Sequence, residues 1–157
     1  MYRNVNDFKQ DWTKSSTGTL DVLRAMTDDA LGQKIVPDHN SLGWIGWHVT
    51  TALGYFTNLL GFRLSALKSL TQPDQASTIA DQYERYAQEI SSAADGFTDD
   101  YLLEEVDVHG KMTPRGAVLR MMIDHQTHHR GQMTVLLRQA GQHVPGVMGP
   151  TKEQTNR

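Results

Sequence analysis

Apolar residues recur at helical spacing along four stretches of the chain, each bounded by turn or capping residues. In the first, Val5, Phe8, Trp12, Leu20, Leu23 and Met26 repeat every three to four positions, which predicts one long helix from about Val5 to Leu31. The polar run Lys14-Ser15-Ser16-Thr17-Gly18-Thr19 interrupts it, and Gly18 is its weak point, about 1 kcal/mol less favourable than alanine in a helix interior. Gly32 can close this helix, and Val36-Pro37-Asp38-His39-Asn40 reads as a loop, because a residue before proline avoids helical geometry.

Asn40 or Ser41 then caps a second helix, Leu42 to about Leu70, with a stripe of Ile45, His48, Ala52, Tyr55 and Leu59. A third, from about Asp74 to Ala94, faces Ile79, Tyr83, Tyr86 or Ala87, and Ile90 inward and ends at Asp95-Gly96. Between Phe97 and Thr113 the period changes, and Val106 and Val108 before His109-Gly110 suggest a short hairpin. Thr113 is placed to cap a fourth helix with Pro114 at its first position, and that helix runs to Ala140 and stops at Gly141. Residues 142–157 read as an irregular tail whose apolar part folds back. The expected architecture is all-α, a four-helix bundle forming a single domain over residues 1–157.

The fourth helix carries an anomaly. Its apolar stripe is Val118, Met122, His125, His129, Met133, Leu136 and Ala140, so two imidazoles four residues apart occupy a face expected to look into the core. A buried imidazole without partners loses about 1 to 3 kcal/mol per unsatisfied group. One explanation is a divalent metal, whose further ligand must come from a facing helix; the other is a pair of core histidines satisfied by carboxylates and backbone. His48, alone, fits the second reading as well. Its position on an apolar stripe that can face His125 and His129 favours the metal.

Three neutral imidazoles with an open position suit Zn, Ni, Fe or Co, and the open position distinguishes catalytic from purely structural sites. His128 is three residues from His125 and can also chelate, but it lies about 100° round the helix from His129, where a surface ion pair with Asp124 is natural, so it reads as a rim residue. Gln132 lies on the ligand side and is placed to hold a ligand or substrate. Trp44 and Trp47 flank His48 and can line a pocket mouth, although aromatics at helical spacing are more often core. Arg130 reads as an anchor for a carboxylate or helix end. The acidic pairs Asp28-Asp29, Asp99-Asp100 and Glu104-Glu105 read as solvated surface, and His39, His109 and His143 sit in loops without a partner pattern.

Composition narrows the chemistry. With 157 residues there is room for one sizeable core. The net charge of −3 is spread without a basic stripe, which argues against nucleic acid as a partner. There is no cysteine, so disulfides, thiolate ligands and a protein thiol nucleophile are excluded. Ser15-Ser16 has no base nearby in sequence. No apolar run is long enough to span a bilayer and the first residues are polar, so a cytoplasmic location is expected, away from the membrane.

Trp44-x-x-x-His48 in the second helix, His125-x-x-x-His129-Arg130-Gly131-Gln132 in the fourth, then Leu136-Leu137-Arg138-Gln139-Ala140-Gly141 and Val144-Pro145-Gly146, together resemble the DinB/YfiT-like superfamily over essentially the whole chain. The resemblance implies an up-down-down-up bundle, a divalent metal held by His48, His125 and His129, and a homodimer. It also implies a choice of activities. Some relatives are thiol-dependent enzymes, among them bacillithiol S-transferases and a mycothiol-dependent maleylpyruvate isomerase; others are described as metal-dependent hydrolases or DNA-damage-inducible proteins. The first expectation is a metalloenzyme activating a low-molecular-weight thiol on an electrophilic small-molecule substrate. A hydrolase, or a non-catalytic metal-binding module of a stress response, are the alternatives.

Overall fold

The computed structural model describes residues 1–67 and 69–155, so Lys68 in the second expected helix and Asn156 and Arg157 in the tail lie outside the described residues. The elements are α1 (Val5–Arg24), a 3-10 turn (Asp28–Ala30), α2 (Leu42–Leu59), α3 (Ala76–Ala94), α4 (Asp99–Leu103), β1 (Glu105–Val108), β2 (Lys111–Pro114), α5 (Arg115–Gln139) and α6 (Lys152–Thr155).

Asn4 caps α1, its side chain accepting from the amides of Asn6 and Asp7. The helix passes through Gly18 without a break. Gly18 is buried where the returning tail places Val147 against α1, and a Cβ would overlap the valine side chain. α1 stops at Arg24, seven residues short of the expected Leu31. The apolar spacing continues past the helix because Met26, Ala30 and Leu31 are buried from the turn that follows. Asp28 in that turn caps α3, its Oδ1 accepting from the Ala76 amide at 2.7 Å where α3's own Gln75 supplies no side-chain cap.

Ser41, not Asn40, caps α2 through the Trp44 amide. α2 ends at Leu59, well before Leu70, and Gly61 takes the positive φ of 90° that reverses the chain. Phe62, Leu64 and Leu67 in the crossover still pack on the core, which is why their spacing reads as helix. The hairpin forms as expected, with Glu105 opposite Pro114. Its tip has φ of 55° at His109 and 85° at Gly110, the two positive values a type I′ turn requires. β2 continues through Pro114, so Thr113 is a strand residue and not a cap; Pro114, extended at ψ 140°, occupies the cap position of α5.

α1 packs on α3 and α5, and α2 packs on the same two helices, making a square. Tyr2 meets Gly116 and Ser15 meets Arg130, so α1 and α5 are parallel. Lys9 meets Asp95, so α3 runs the other way. The order is up-down-down-up. Phe8, Trp12, Leu53, Tyr83, Leu119 and Met122 are fully buried between the four. Asp99 closes one end by accepting from the Val5 amide at 2.8 Å, so the acidic residues Asp28 and Asp99 are helix caps and not merely solvated surface.

Candidate metal centre

The buried face of α5 holds Val118, Met122, Met133 and Leu136 of the expected stripe and also Leu119, Ile123, Gln126, Arg130 and Leu137. Its centre therefore lies about one residue round the helix from that of the expected stripe. His125 and His129 are therefore half-buried at the edge of the core, on the side of α2, and not in its centre. On α2 the same shift applies: Ile45 is buried as expected, together with Leu42, Gly46, Val49, Leu53 and Phe56, while His48 is half-buried and Tyr55 exposed. The two half-buried edges face each other.

There the three imidazoles meet. His48 Nε2 lies 3.1 Å from His125 Nε2, which lies 3.2 Å from His129 Nε2. One ligand atom from each of the three falls within 4.8 Å of the others. Tetrahedral coordination with bonds of 2.0–2.1 Å separates two ligand nitrogens by about 3.3 Å, so the observed spacing fits a divalent cation. Each ring is braced from behind. Trp44 stacks on His48, with centroids 5.0 Å apart and planes 9° from parallel. Phe56 meets His125 edge to face. His129 Nδ1 lies 2.7 Å from Gln132 Oε1, which can only accept, so the proton sits on Nδ1 and the Nε2 lone pair faces the other two rings.

Burial pushes all three pKa values down, helped at His48 by His129, at His125 by His129, His48 and His128, and at His129 by His128 against the raising effect of the Gln132 bond; that of His125 falls to about 4. The triad is neutral at pH 7, the state a metal needs.

His128 is exposed and takes no part in the cluster, but its Nε2 accepts from the Gln132 amide at 3.3 Å, so it steadies the residue that orients His129. The expected ion pair with Asp124 is absent: Asp124 pairs with Arg120 at 2.7 Å. Arg130 anchors no carboxylate either. Its guanidinium enters the core and donates to Ser15 O at 2.7 Å, Ser15 Oγ at 2.9 Å and Thr19 Oγ1 at 3.0 Å, while Gln126 beside it receives the hydroxyls of Tyr83 and Thr19. This polar core ties α5 to α1 and α3 directly behind the triad. Gln126 is wholly buried, and its four-residue spacing from Arg130 is the sequence signal of a second polar stripe beside the histidines.

A cleft of about 570 Å³ opens against His129, between the start of α2 and the second half of α5. Trp44 and Gln132 line it, as does His39, for which the sequence offers no partner; Trp47 is instead a core residue whose indole donates to Leu70 O. His109 also has a partner, the Tyr55 hydroxyl at 2.8 Å. His143 joins no cluster with the triad.

A family model for the DinB family matches residues 1–157. The chain belongs to the DinB family. It is similar to the uncharacterized protein YrdA of Bacillus subtilis (strain 168), at 36% identity over 156 residues, 98% of this chain and 93% of that protein. The fold is similar to the crystal structure of a DinB-like protein from Bacillus cereus ATCC 10987, with a TM-score of 0.88 and 38% identity over 93% of this chain and 99% of that one. The DinB-like protein YjoA of Bacillus subtilis shares the fold at a TM-score of 0.74 and 16% identity, covering 92% of this chain and 99% of its own. In this DinB protein three histidines on two antiparallel helices, His48, His125 and His129, can hold a metal ion. No helix among the described residues is long and apolar enough to cross a membrane.

Proposed function

We propose that this DinB protein is a metalloenzyme in which His48, His125 and His129 hold a divalent cation that activates a low-molecular-weight thiol for attack on an electrophilic small molecule. The observation that carries the reading is the convergence of three neutral imidazole nitrogens beside an open cleft. When bound, the cation supplies positive charge that brings the pKa of a coordinated thiol or water towards neutrality.

The chain's own residues do the rest. Gln132 holds the His129 tautomer, Trp44 and Phe56 cover two ring faces against water, and the cleft positions the electrophile. The thiol sulfur forms a bond to the electrophilic carbon, the leaving group departs with its bonding electrons, and the thiol proton passes to solvent. One feature supports a thiol: no carboxylate lines the cleft among the described residues to act as base for water. The absence of cysteine is compatible with a sulfur brought in by a small molecule and does not choose between the readings. A thiol of ordinary pKa near 8.5 needs only the cation to ionise. A hydrolase is the second reading, favoured by the lack of any lysine or arginine lining the cleft, among the described residues, to grip an acidic thiol. A homodimer belongs to the same proposal by family likeness, and sedimentation velocity reads it; a cytoplasmic location belongs to it from the polar first residues.

The deciding experiment is elemental analysis of untagged protein beside His48→Ala, followed by thiol-dependent loss of monochlorobimane. Near-stoichiometric metal in the parent alone, with turnover abolished by chelation, supports the thiol enzyme. Product release without thiol selects the hydrolase, and metal without turnover of either kind leaves a binding module.

A further inference from the structure

Gly131 lies in the interior of α5, where glycine costs about 1 kcal/mol relative to alanine. Its φ is not positive, so the backbone does not require it. A Cβ built on it meets nothing within 4 Å, so packing does not require it either. Gly18 and Gly116 are different: each admits a neighbour that a side chain would strike. What Gly131 fronts is the cleft beside His129.

The cleft's walls are apolar, with Ile35, Ile45, Val135 and Leu136, and its polar residues are Asn40, Gln132, His39, His128 and His129. No formally charged residue lines it among the described residues. Trp44 rests one ring face on His48 and remains 42% exposed, a flat platform held in place from below. About 570 Å³ is within the range of small-molecule sites.

We infer that this cleft binds an uncharged, flat apolar group, such as an aromatic ring, stacked on Trp44 in the space that Gly131 leaves open, with its reactive atom directed to the triad. The inference rests on the metalloenzyme reading only for that last direction; the binding itself is independent of metal. In the metal-free protein, burying a carboxylate or phosphate against these walls has no lysine or arginine among the described residues to compensate it, so anionic analogues bind more weakly there.

The test is an NMR titration of the Trp44 indole Nε1–H and the residue-131 amide with 2-naphthol and with 2-naphthoate, on protein in EDTA and on protein loaded with zinc. Saturable shifts with 2-naphthol, and at least tenfold weaker binding of 2-naphthoate to the EDTA-treated protein, are expected. Gly131→Leu carries a bulky side chain into the cleft from a Cβ that meets no neighbour and should weaken 2-naphthol at least tenfold, with Gly131→Ala between, while zinc content and the far-ultraviolet circular dichroism stay those of the parent. Equal binding of 2-naphthol by Gly131→Leu, or equal binding of the two probes by EDTA-treated protein, overturns the inference. Failure of zinc to bind while 2-naphthol still binds in a Gly131-dependent way overturns the metalloenzyme reading and supports the cleft.

Discussion

His129 donates from Nδ1 to Gln132 Oε1 across 2.7 Å, one turn along the same helix, and this bond decides which of the two ring nitrogens faces His48 and His125. Without an acceptor at residue 132 the imidazole is free to carry its proton on Nε2, where it blocks coordination. Gln132→Leu should weaken zinc binding about 10- to 100-fold, as loss of such a partner does in other histidine sites. Gln132→Glu retains the acceptor and should bind nearly as the parent. Competition with a chromogenic chelator measures both, and comparable affinity for Gln132→Leu and parent would show that the bond is incidental.

Removing a ring that points into the cluster differs from removing one beside it. His125→Ala and His129→Ala should each lose most of the bound metal. His128→Ala, which only loosens Gln132, should lose less than about tenfold in affinity. Equal losses for all three would mean that the ligand set is misassigned.

Metal removal exposes the acid sensitivity of the triad. In unfolded chain a histidine binds its proton as pH falls through about 6.5, whereas His125 in the fold resists until about 4. Between those values the unfolded state holds more protons, so stability is full above about pH 6.5 and is lost as pH falls towards 4. In EDTA, the parent should lose on the order of 1 kcal/mol between about pH 7 and 5 relative to His125→Asn, a figure reduced from the full linkage because the ring is half-exposed. Urea unfolding at the two pH values measures it; parallel losses in parent and variant would refute the assignment of the shift to this residue.

Arg130 is 6% exposed and, among the described residues, bonds only to hydroxyls and a backbone carbonyl. Arg130→Met keeps much of the side-chain length but leaves Ser15 O and the Gln126–Thr19–Tyr83 cluster short of donors. It should destabilise the protein by about 2 to 4 kcal/mol, read from the urea midpoint. A midpoint within experimental scatter of the parent would show that the buried charge itself offsets what its bonds contribute.

How far the chain is legible before folding depends on whether a signal is local. Gly61, Gly141, Ser41 and the His109-Gly110 turn act on their immediate neighbours, yet Gly61 is masked because apolar spacing runs on through Phe62 and Leu67. Helix ends set from a distance leave no local mark at all. Asp28 caps α3 across 48 positions and Asp99 caps α1 across 94, and the residues themselves look like any acidic pair. His39 and His109 find their companions only when the loops are laid against α2 and α5.

The sequence by itself determined an all-α bundle, its helix faces to within about one residue, and the presence on those faces of His48, His125 and His129, because helical periodicity is a property of neighbouring residues along one chain. A stripe read at about 100° per residue does not separate the centre of a buried face from its edge. Only the tertiary structure decided that the three histidines stand at the edge, with Nε2 atoms 3.1 and 3.2 Å apart, while Gln126 and Arg130 fill the centre. The rotation of α2 against α5 arises from the packing of all four helices at once, and the cleft that makes the cluster accessible exists only between them.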